Sequence, residues 1–384
     1  MTRNAWLGVL LSGALVASAG ARAEPVRIGM ITTLSGGGAS LGIDVRDGFM
    51  LALEEEGGML GGEEIELLVE DDAMQPDLAK QIADKLIKRD DVDILTGIIW
   101  SNLALAVVPS AVNDGVFYIS PNAGPSQLAG SACHENYFNV AWQNDNLHEA
   151  MGQYVSNNGF SDAYILAPNY PAGKDALAGF KRFYEGDVAG ETYTQLGQAD
   201  YAAEIAAIRE AEPDSIFFFL PGGMGIAFMK QYAQSGLEVP VFGPAFSFSQ
   251  DILAAVGDAA LGVMNTSQWS KDLDNPANAR FVAAFQGAYG RLPSLYASQG
   301  YDAARLIASA LAKASVDDPD AFRAALEAAE FDSVRGDFEF GPNHHPIQDI
   351  YVREVVKEGD VLTNRLVGIA MEDHADAYAA ECQM

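Results

Sequence analysis

From Val26 onward, short runs of β-branched and apolar residues alternate with longer segments whose apolar positions recur every three or four residues. Val26 to Thr32 reads as a strand, Leu34 to Gly42 as a turn-rich loop, and the segment from about Asp44 to Glu56 as a helix. Ile65 to Glu70 predicts a second strand, Leu78 to Lys88 a helix, Asp93 to Gly97 a strand, Asn102 to Asn113 a helix, and Val116 to Ile119 a fourth strand. The same grammar then restarts. Helices are expected over Leu147 to Asn157, Lys174 to Phe183, Ala202 to Ala211 and Gly225 to Ser235. Strands are expected over Ala163 to Ala167, Ser215 to Leu220 and Val239 to Phe242. Ile216 to Leu220 is apolar at every position, as a strand buried on both faces requires. Pro276 to Ala329 reads as mainly helical, and Asp337 to Ile369 returns to strands. Strands separated by helices of this length imply βαβ crossovers and parallel sheets covered on both faces. The fold class is therefore α/β, with two doubly wound units.

The residues before Val26 follow a different rule. Arg3 gives a positive start, Trp6 to Ala19 is apolar, and Ala21-Arg22-Ala23 is an A-x-A cleavage pattern. The apolar run falls short of the roughly 20 residues that span a bilayer, so residues 1–23 read as a secretory signal peptide cut after Ala23. The remaining chain should be periplasmic, without direct insertion into the membrane. Its charge narrows the partners: 53 acidic against 23 basic residues give −30, and loss of Arg3 and Arg22 makes the mature chain −32. Such a chain repels phosphate backbones and anionic lipid heads, which argues against nucleic-acid and membrane-surface functions. The acidity itself reads as a solubility device of the kind a saline habitat favours. Cys133 and Cys382 are the only cysteines, and an oxidising compartment favours one disulfide between them, the alternative being two separate thiols.

Motifs for chemistry fail on spacing. The glycine run Gly36-Gly37-Gly38 follows the first strand, but Gly42 falls one residue late for G-x-G-x-x-G, and Phe228 occupies the third glycine position after Gly223-Met224-Gly225. His344-His345 are adjacent and would point to opposite faces of a strand, so neither a metal site nor a cofactor is expected. Asp71-Asp72 and Glu54-Glu55-Glu56 read as solvated carboxylates. No G-x-S-x-G elbow exists, and Ser101 has no evident base. Catalysis is not expected.

The loops after the strands carry the stronger information, because ligands in open α/β sheets bind beyond the carboxyl ends of strands, at helix N-termini. Ile98-Ile99-Trp100-Ser101-Asn102 places Ser101 at a helix N-cap position. Ser120 to Ser126 is small and turn-rich, and Pro168-Asn169-Tyr170 and Gly243-Pro244-Ala245-Phe246 end strands of the second unit. Trp100, Trp142, Tyr170 and Phe246 at such ends suggest a shared apolar pocket.

At these residues the chain resembles the type I periplasmic solute-binding proteins of ABC importers, the leucine/isoleucine/valine-binding group. The resemblance runs through Val26-Arg27-Ile28-Gly29, Leu34-Ser35-Gly36, Val69-Glu70-Asp71-Asp72, Tyr118-Ile119-Ser120-Pro121 and Tyr296-Ala297. It implies two Rossmann-like lobes joined by a three-stranded hinge: residues 24–142 with 270–345, and 143–269 with 346–384, the C-terminal tail returning towards the first lobe. It also implies a monomer that hands its ligand to a permease in the inner membrane. The family's carboxylate-binding serine matches Ser101, its assisting amides match Asn122, Ala123 and Gly124, and its second-lobe tyrosine matches Tyr170. Leu41, Asn102, Trp142, Pro221, Gly222 and Phe246 complete the expected ligand set with Trp100.

Departures are informative. The acidic residue that receives an amino acid's ammonium falls at Ala245, and a cysteine pair of some relatives falls at Met74 and Trp100. The carboxylate end is kept while the ammonium end is lost. Pro121 to Ser126, Trp142 to Asp145 and Ala167 to Tyr170 resemble the subgroup associated with aromatic acids. Three readings follow: a receptor for a benzoate-like acid, a receptor for branched-chain amino acids or amides if Asp145 or another carboxylate replaces the lost partner, and a secreted α/β enzyme.

Overall fold

The computed structural model describes residues 24–384; the expected leader 1–23 and its cleavage site lie outside the described residues. Two sheets organise the chain. The first runs in the order Met59–Leu60, Glu63–Asp71, Val26–Thr32, Ile94–Thr96, Phe117–Ser120, Tyr137–Asn139. All its pairs are parallel except the hairpin Met59–Leu60 with Glu63–Asp71. The second runs Glu339–Phe340, Pro346–Glu358, Met264–Ser267, Val241–Pro244, Ser215–Phe218, Asp162–Pro168, Asp187–Thr194, with Val361–His374 pairing Pro346–Glu358. Its inner strands are parallel, and the late hairpin is antiparallel. Phe117–Ser120 and Ser215–Phe218 are buried at every position, as strands covered on both faces are, each with one buried serine at an end.

The helices Pro276–Tyr289, Leu295–Leu311 and Pro319–Glu327 follow the second sheet's Met264–Ser267 in the chain, and Leu295–Leu311 packs on Ala39–Glu55 of the first lobe. Glycines set that approach: a Cβ on Gly48 would lie 2.0 Å from the Ala297 carbonyl oxygen, and one on Gly300 1.9 Å from that of Val45. The chain passes from the first sheet to the second after Tyr137–Asn139, leaves the second after Met264–Ser267 for helices that reach the first lobe, and re-enters it at Glu339–Phe340 and Pro346–Glu358. The lobe limits we propose, 24–142 with 270–345 and 143–269 with 346–384, follow these passages, the last one falling between the paired strands Glu339–Phe340 and Pro346–Glu358. Buried Arg335 ties two of them, donating from Nη1 to Ala141 O at 3.0 Å and Gln348 Oε1 at 2.8 Å, while its Nε meets Asp302 Oδ2 at 3.0 Å.

A disulfide joins Cys133 to Cys382 and brings the tail onto the first lobe. On the way Tyr378 donates to Asp145 Oδ2 at 2.9 Å, and Asn343 donates to Asp376 Oδ2 at 2.9 Å.

Several expectations need correction. The predicted loop Leu34 to Gly42 is largely helical: Gly36–Gly38 makes one 3₁₀ turn and Ala39–Glu55 continues from it. Asp187–Thr194 is a mostly exposed edge strand, and Tyr137–Asn139 and Met264–Ser267 are too short to give a period. His344 and His345 precede the strand Pro346–Glu358, with His344 at φ +56°, so they lie in a turn and not on a strand. Asp72 is fully buried and not solvated; burial raises its pKa, against the hydrogen bonds it accepts from Thr33 Oγ1 and Met74 N.

Candidate functional site

Each sheet reverses its strand order once beside a strand whose neighbours lie in opposite chain directions, and the site lies at those two points. In the first sheet the reversal separates Val26–Thr32 from Ile94–Thr96; beyond their ends lie Thr33 and the run Ile98 to Ser101. In the second it separates Asp162–Pro168 from Ser215–Phe218; beyond them lie Tyr170 and Phe219. The lobes meet across this gap. A Cβ on Gly222 would stand 3.1 Å from Gly37 O, and Asp175 of the second lobe accepts from Ser126 N at 3.1 Å and Ser126 Oγ at 2.8 Å.

Between them is a small, largely closed cavity. Of the expected residues, Leu41, Trp100, Ser101, Asn122, Trp142, Tyr170, Pro221 and Phe246 line it, joined by Ile99, Asn144, His148, Ala172, Phe219 and Tyr296. Its wall is a chain of rings. Trp100 lies 6.2 Å from Tyr170, which stacks on Phe219 at 6.2 Å and 13°. Phe219 meets Phe246 edge-on at 5.5 Å, and Phe246 meets Trp142 at 4.5 Å. Burial pushes the Tyr170 and Tyr296 phenols up, so both remain O–H donors.

Trp100 is held from behind. Its Nε1 donates to Thr33 Oγ1 at 3.0 Å, and Thr33 donates onward to Asp72 Oδ1 at 2.7 Å. Ser101 is the first residue of the helix Ser101–Asn113, and Trp100, not Ser101, is the N-cap residue. The correction matters, because an N-cap serine would spend its oxygen on its own helix. Here Ser101 Oγ instead accepts from Asn144 Nδ2 at 3.1 Å, and the helix start faces the same cavity with its leading N–H groups free of helical partners. Asn144 is fully engaged, donating also to Asp175 Oδ2 at 2.9 Å and accepting from Gly124 N at 3.2 Å.

Four expected contacts lie off the cavity wall. Gly124 gives its amide to Asn144, and a Cβ there would lie 2.2 Å from Trp142 O, so glycine serves a close backbone approach. Ala123 O accepts from Ser120 Oγ, Tyr137 OH and Asn139 Nδ2, which makes it a hub for the loop. Asn102 sits one residue further along the helix, and Gly222 faces Gly37 across the gap. Ala245 is fully buried and outside the lining. Asp145 does not replace a carboxylate there: it pairs with Arg182 at 2.9 Å and accepts from Tyr378 and Gln143.

The residues that sequence reasoning missed had weak signals. Phe219 was hidden inside an apolar run that stops being a strand at Phe218, and Tyr296 and Asn144 stood in the quoted resemblances without a role. His148 gave no signal beyond a polar residue on a helix. It is fully buried and held neutral, its pKa pushed down to about 3 by burial.

Among the described residues no Asp, Glu, Lys or Arg side chain lines the cavity, and the His148 imidazole that does is held neutral by burial. Among the described residues no group of three metal-ligating side chains occurs, and no helix is long and apolar enough to cross a membrane.

A family model described as periplasmic binding protein matches residues 25–360. The chain belongs to the periplasmic binding protein family. A member from Brucella melitensis, the Leu/Ile/Val-binding protein homolog 6, is 28% identical over 360 residues, covering 90% of this chain and 91% of its own. A solute-binding protein of an ABC transporter from R. palustris, solved in complex with benzoate, is 31% identical with a TM-score of 0.89, covering 94% of this chain and 100% of its own. A second, from Rhodopseudomonas palustris BisB5 in complex with 3,4-dihydroxybenzoic acid, is 30% identical with a TM-score of 0.83, covering 92% and 99%. The two-lobed α/β architecture is thus the type I periplasmic binding protein fold.

Proposed function

We propose that this protein is the periplasmic solute-binding component of an ABC importer and captures a small benzoate-like carboxylate by closure of its two lobes. The observation that carries this reading is a ring-lined cavity with a serine hydroxyl and a helix N-terminus on its wall and no acidic side chain in its lining. Ser101 Oγ–H and the first N–H groups of Ser101–Asn113 hold the carboxylate; Trp100, Tyr170, Phe219 and Phe246 enclose the ring. An ammonium group would be desolvated there without a counter-charge, at a cost of several kcal/mol. The benzoate and dihydroxybenzoate complexes of the R. palustris relatives support the same class.

Magnitudes are sufficient. Burying about 150 Å² of ring contributes roughly 3–4 kcal/mol, and two or three charge-assisted bonds add about 1.5–3 kcal/mol each before ordering costs. Micromolar affinity requires about 8 kcal/mol. The −32 charge does not oppose an anionic ligand decisively, because screening over about 8 Å leaves the local donors in control.

In this reading the 1–23 leader is removed after Ala23, the mature chain acts as a monomer, and the closed form is presented to a permease in the inner membrane. Branched-chain amino acids or amides form the second reading, favoured by the names of the Brucella relatives. An enzymatic reading gains nothing from Ser101, which is bonded to an amide and not to a base. Calorimetry with benzoate, 4-hydroxybenzoate, phenylalanine and leucine separates them. Tighter binding of leucine than of any aromatic acid overturns the class, and scattering with saturating ligand should give a smaller radius of gyration than without it.

A further inference from the structure

Two polar atoms at residues lining the cavity are shut from solvent and have no protein partner. Asn122 is 7% exposed and donates from Nδ2 to Ile99 O at 2.7 Å; that bond fixes the amide, so its buried, unpartnered Oδ1 can only accept. His148 is 1% exposed, and its Nδ1 is buried without a partner. Its ring stands edge-on to Phe217 at 5.7 Å and Phe219 at 5.1 Å, with Phe246 at 6.0 Å. A phenylalanine would suit that cage as well, so an imidazole with an unmet nitrogen is a cost unless a ligand completes it.

A carboxylate cannot satisfy Asn122 Oδ1, since both are acceptors, and a bare ring satisfies neither atom. A phenolic O–H does. It can donate to the amide oxygen or to the imidazole lone pair, and its oxygen can accept from the other tautomer's N–H. We infer that the ligand is a hydroxylated aromatic acid, its carboxylate at Ser101 and its ring hydroxyl read by His148 and Asn122. The inference rests on the aromatic-acid reading above and narrows it: His148 and Asn122 become the residues that separate hydroxylated acids from plain benzoate. A site with a buried polar group rejects an analogue that leaves this group unpaired.

The test is calorimetry of the full mature chain with benzoate, 3-hydroxybenzoate, 4-hydroxybenzoate and 3,4-dihydroxybenzoate, on wild type, His148→Phe and His148→Gln. The best hydroxylated acid should bind the wild type at least about tenfold more tightly than benzoate. In His148→Phe that preference should collapse, the hydroxylated acids losing more affinity than benzoate, and His148→Gln should restore part of it. Benzoate binding the wild type as tightly as every hydroxylated acid overturns the inference and leaves the aromatic-acid reading intact. Preference undiminished in His148→Phe removes His148 from its role. Should that variant not fold, the wild-type series alone decides. Failure of every aromatic acid to bind removes the underlying reading and this inference with it.

Discussion

Asn144 donates to Ser101 Oγ at 3.1 Å, and this fixes what the serine has left to offer. With its oxygen already accepting, Ser101 has its own hydrogen free to donate, and the cavity lies in front of it. Ser101→Ala should therefore weaken a carboxylate ligand roughly ten- to a hundredfold, the loss of one bond worth about 1.5–3 kcal/mol. Asn144→Ala should also weaken it, because the same amide nitrogen reaches Asp175 and so joins the ligand serine to the interlobe contact with Ser126. Calorimetry on both singles and the double should give less than additive losses. Full additivity would mean that the two side chains act separately.

Trp100 depends on a similar relay. Thr33 accepts from the indole and donates to buried Asp72, so Thr33→Val leaves the indole N–H without a partner and Asp72 with the Met74 N–H alone. A loss of about 1–3 kcal/mol in stability is expected, read by urea unfolding, together with weaker ligand binding as the ring loses its anchor. Unchanged stability would show that the relay contributes nothing.

Much of this was legible in the sequence, and the reasons are specific. Val26–Thr32 and Ala202–Ala211 appear where their apolar periods placed them, and Trp100, Tyr170 and Phe246 reach one cavity because strand ends in a doubly wound sheet converge. Asp72 was not legible. Beside Asp71 it looks like surface charge, and only the register of Val26–Thr32 with Glu63–Asp71 brings it under Thr33. Nor was the neutral role of Gly124, whose amide is committed to Asn144 twenty residues further on. Backbone amides carry no residue-type signal, so their partners emerge only from tertiary geometry.

Two acids also meet between the lobes. Asp44, on Ala39–Glu55, is raised by burial and then by the charge of Asp251, on Gln250–Val256 of the other lobe. Asp251 is raised by burial as well, its Oδ2 shut from solvent. Arg291, 2.7 Å from both Asp44 and Asp47, and the hydroxyls of Ser40 and Ser294 oppose the shift, while Asp47 adds to it. The sign follows from the raised pKa values. On the proposed lobe motion, the closed form would hold a proton that an open form releases, so its stabilisation is complete below the ordinary carboxylate range and is lost as pH rises towards neutrality. Ligand binding should take up protons in mildly acidic buffer, and affinity should fall as pH rises. Titrations in buffers of different ionisation heat measure the uptake; Asp251→Asn should reduce it, since the burial of Asp44 persists, and the double variant Asp44→Asn/Asp251→Asn should abolish it. Uptake that survives the double variant would place the proton elsewhere.

The disulfide gives the last test. Cys133 and Cys382 are separated by 249 residues, so the bond closes a loop that contains nearly all of the second lobe and the 270–345 part of the first. Chain-entropy reasoning puts its stabilisation at about 5 kcal/mol, although such figures often exceed measured ones. Reduction or Cys382→Ser should thus lower the unfolding midpoint clearly. The bond acts mainly on the unfolded chain, and Tyr378 and Asp376 still hold the tail through Asp145 and Asn343. Ligand affinity should accordingly change far less than stability. Mass spectrometry of the unreduced protein must first find no free thiol; two free thiols would remove the bond, and with it the expected sensitivity to reductant. A large loss of affinity on reduction, with the fold intact, would mean instead that the tail helps to hold the lobes closed.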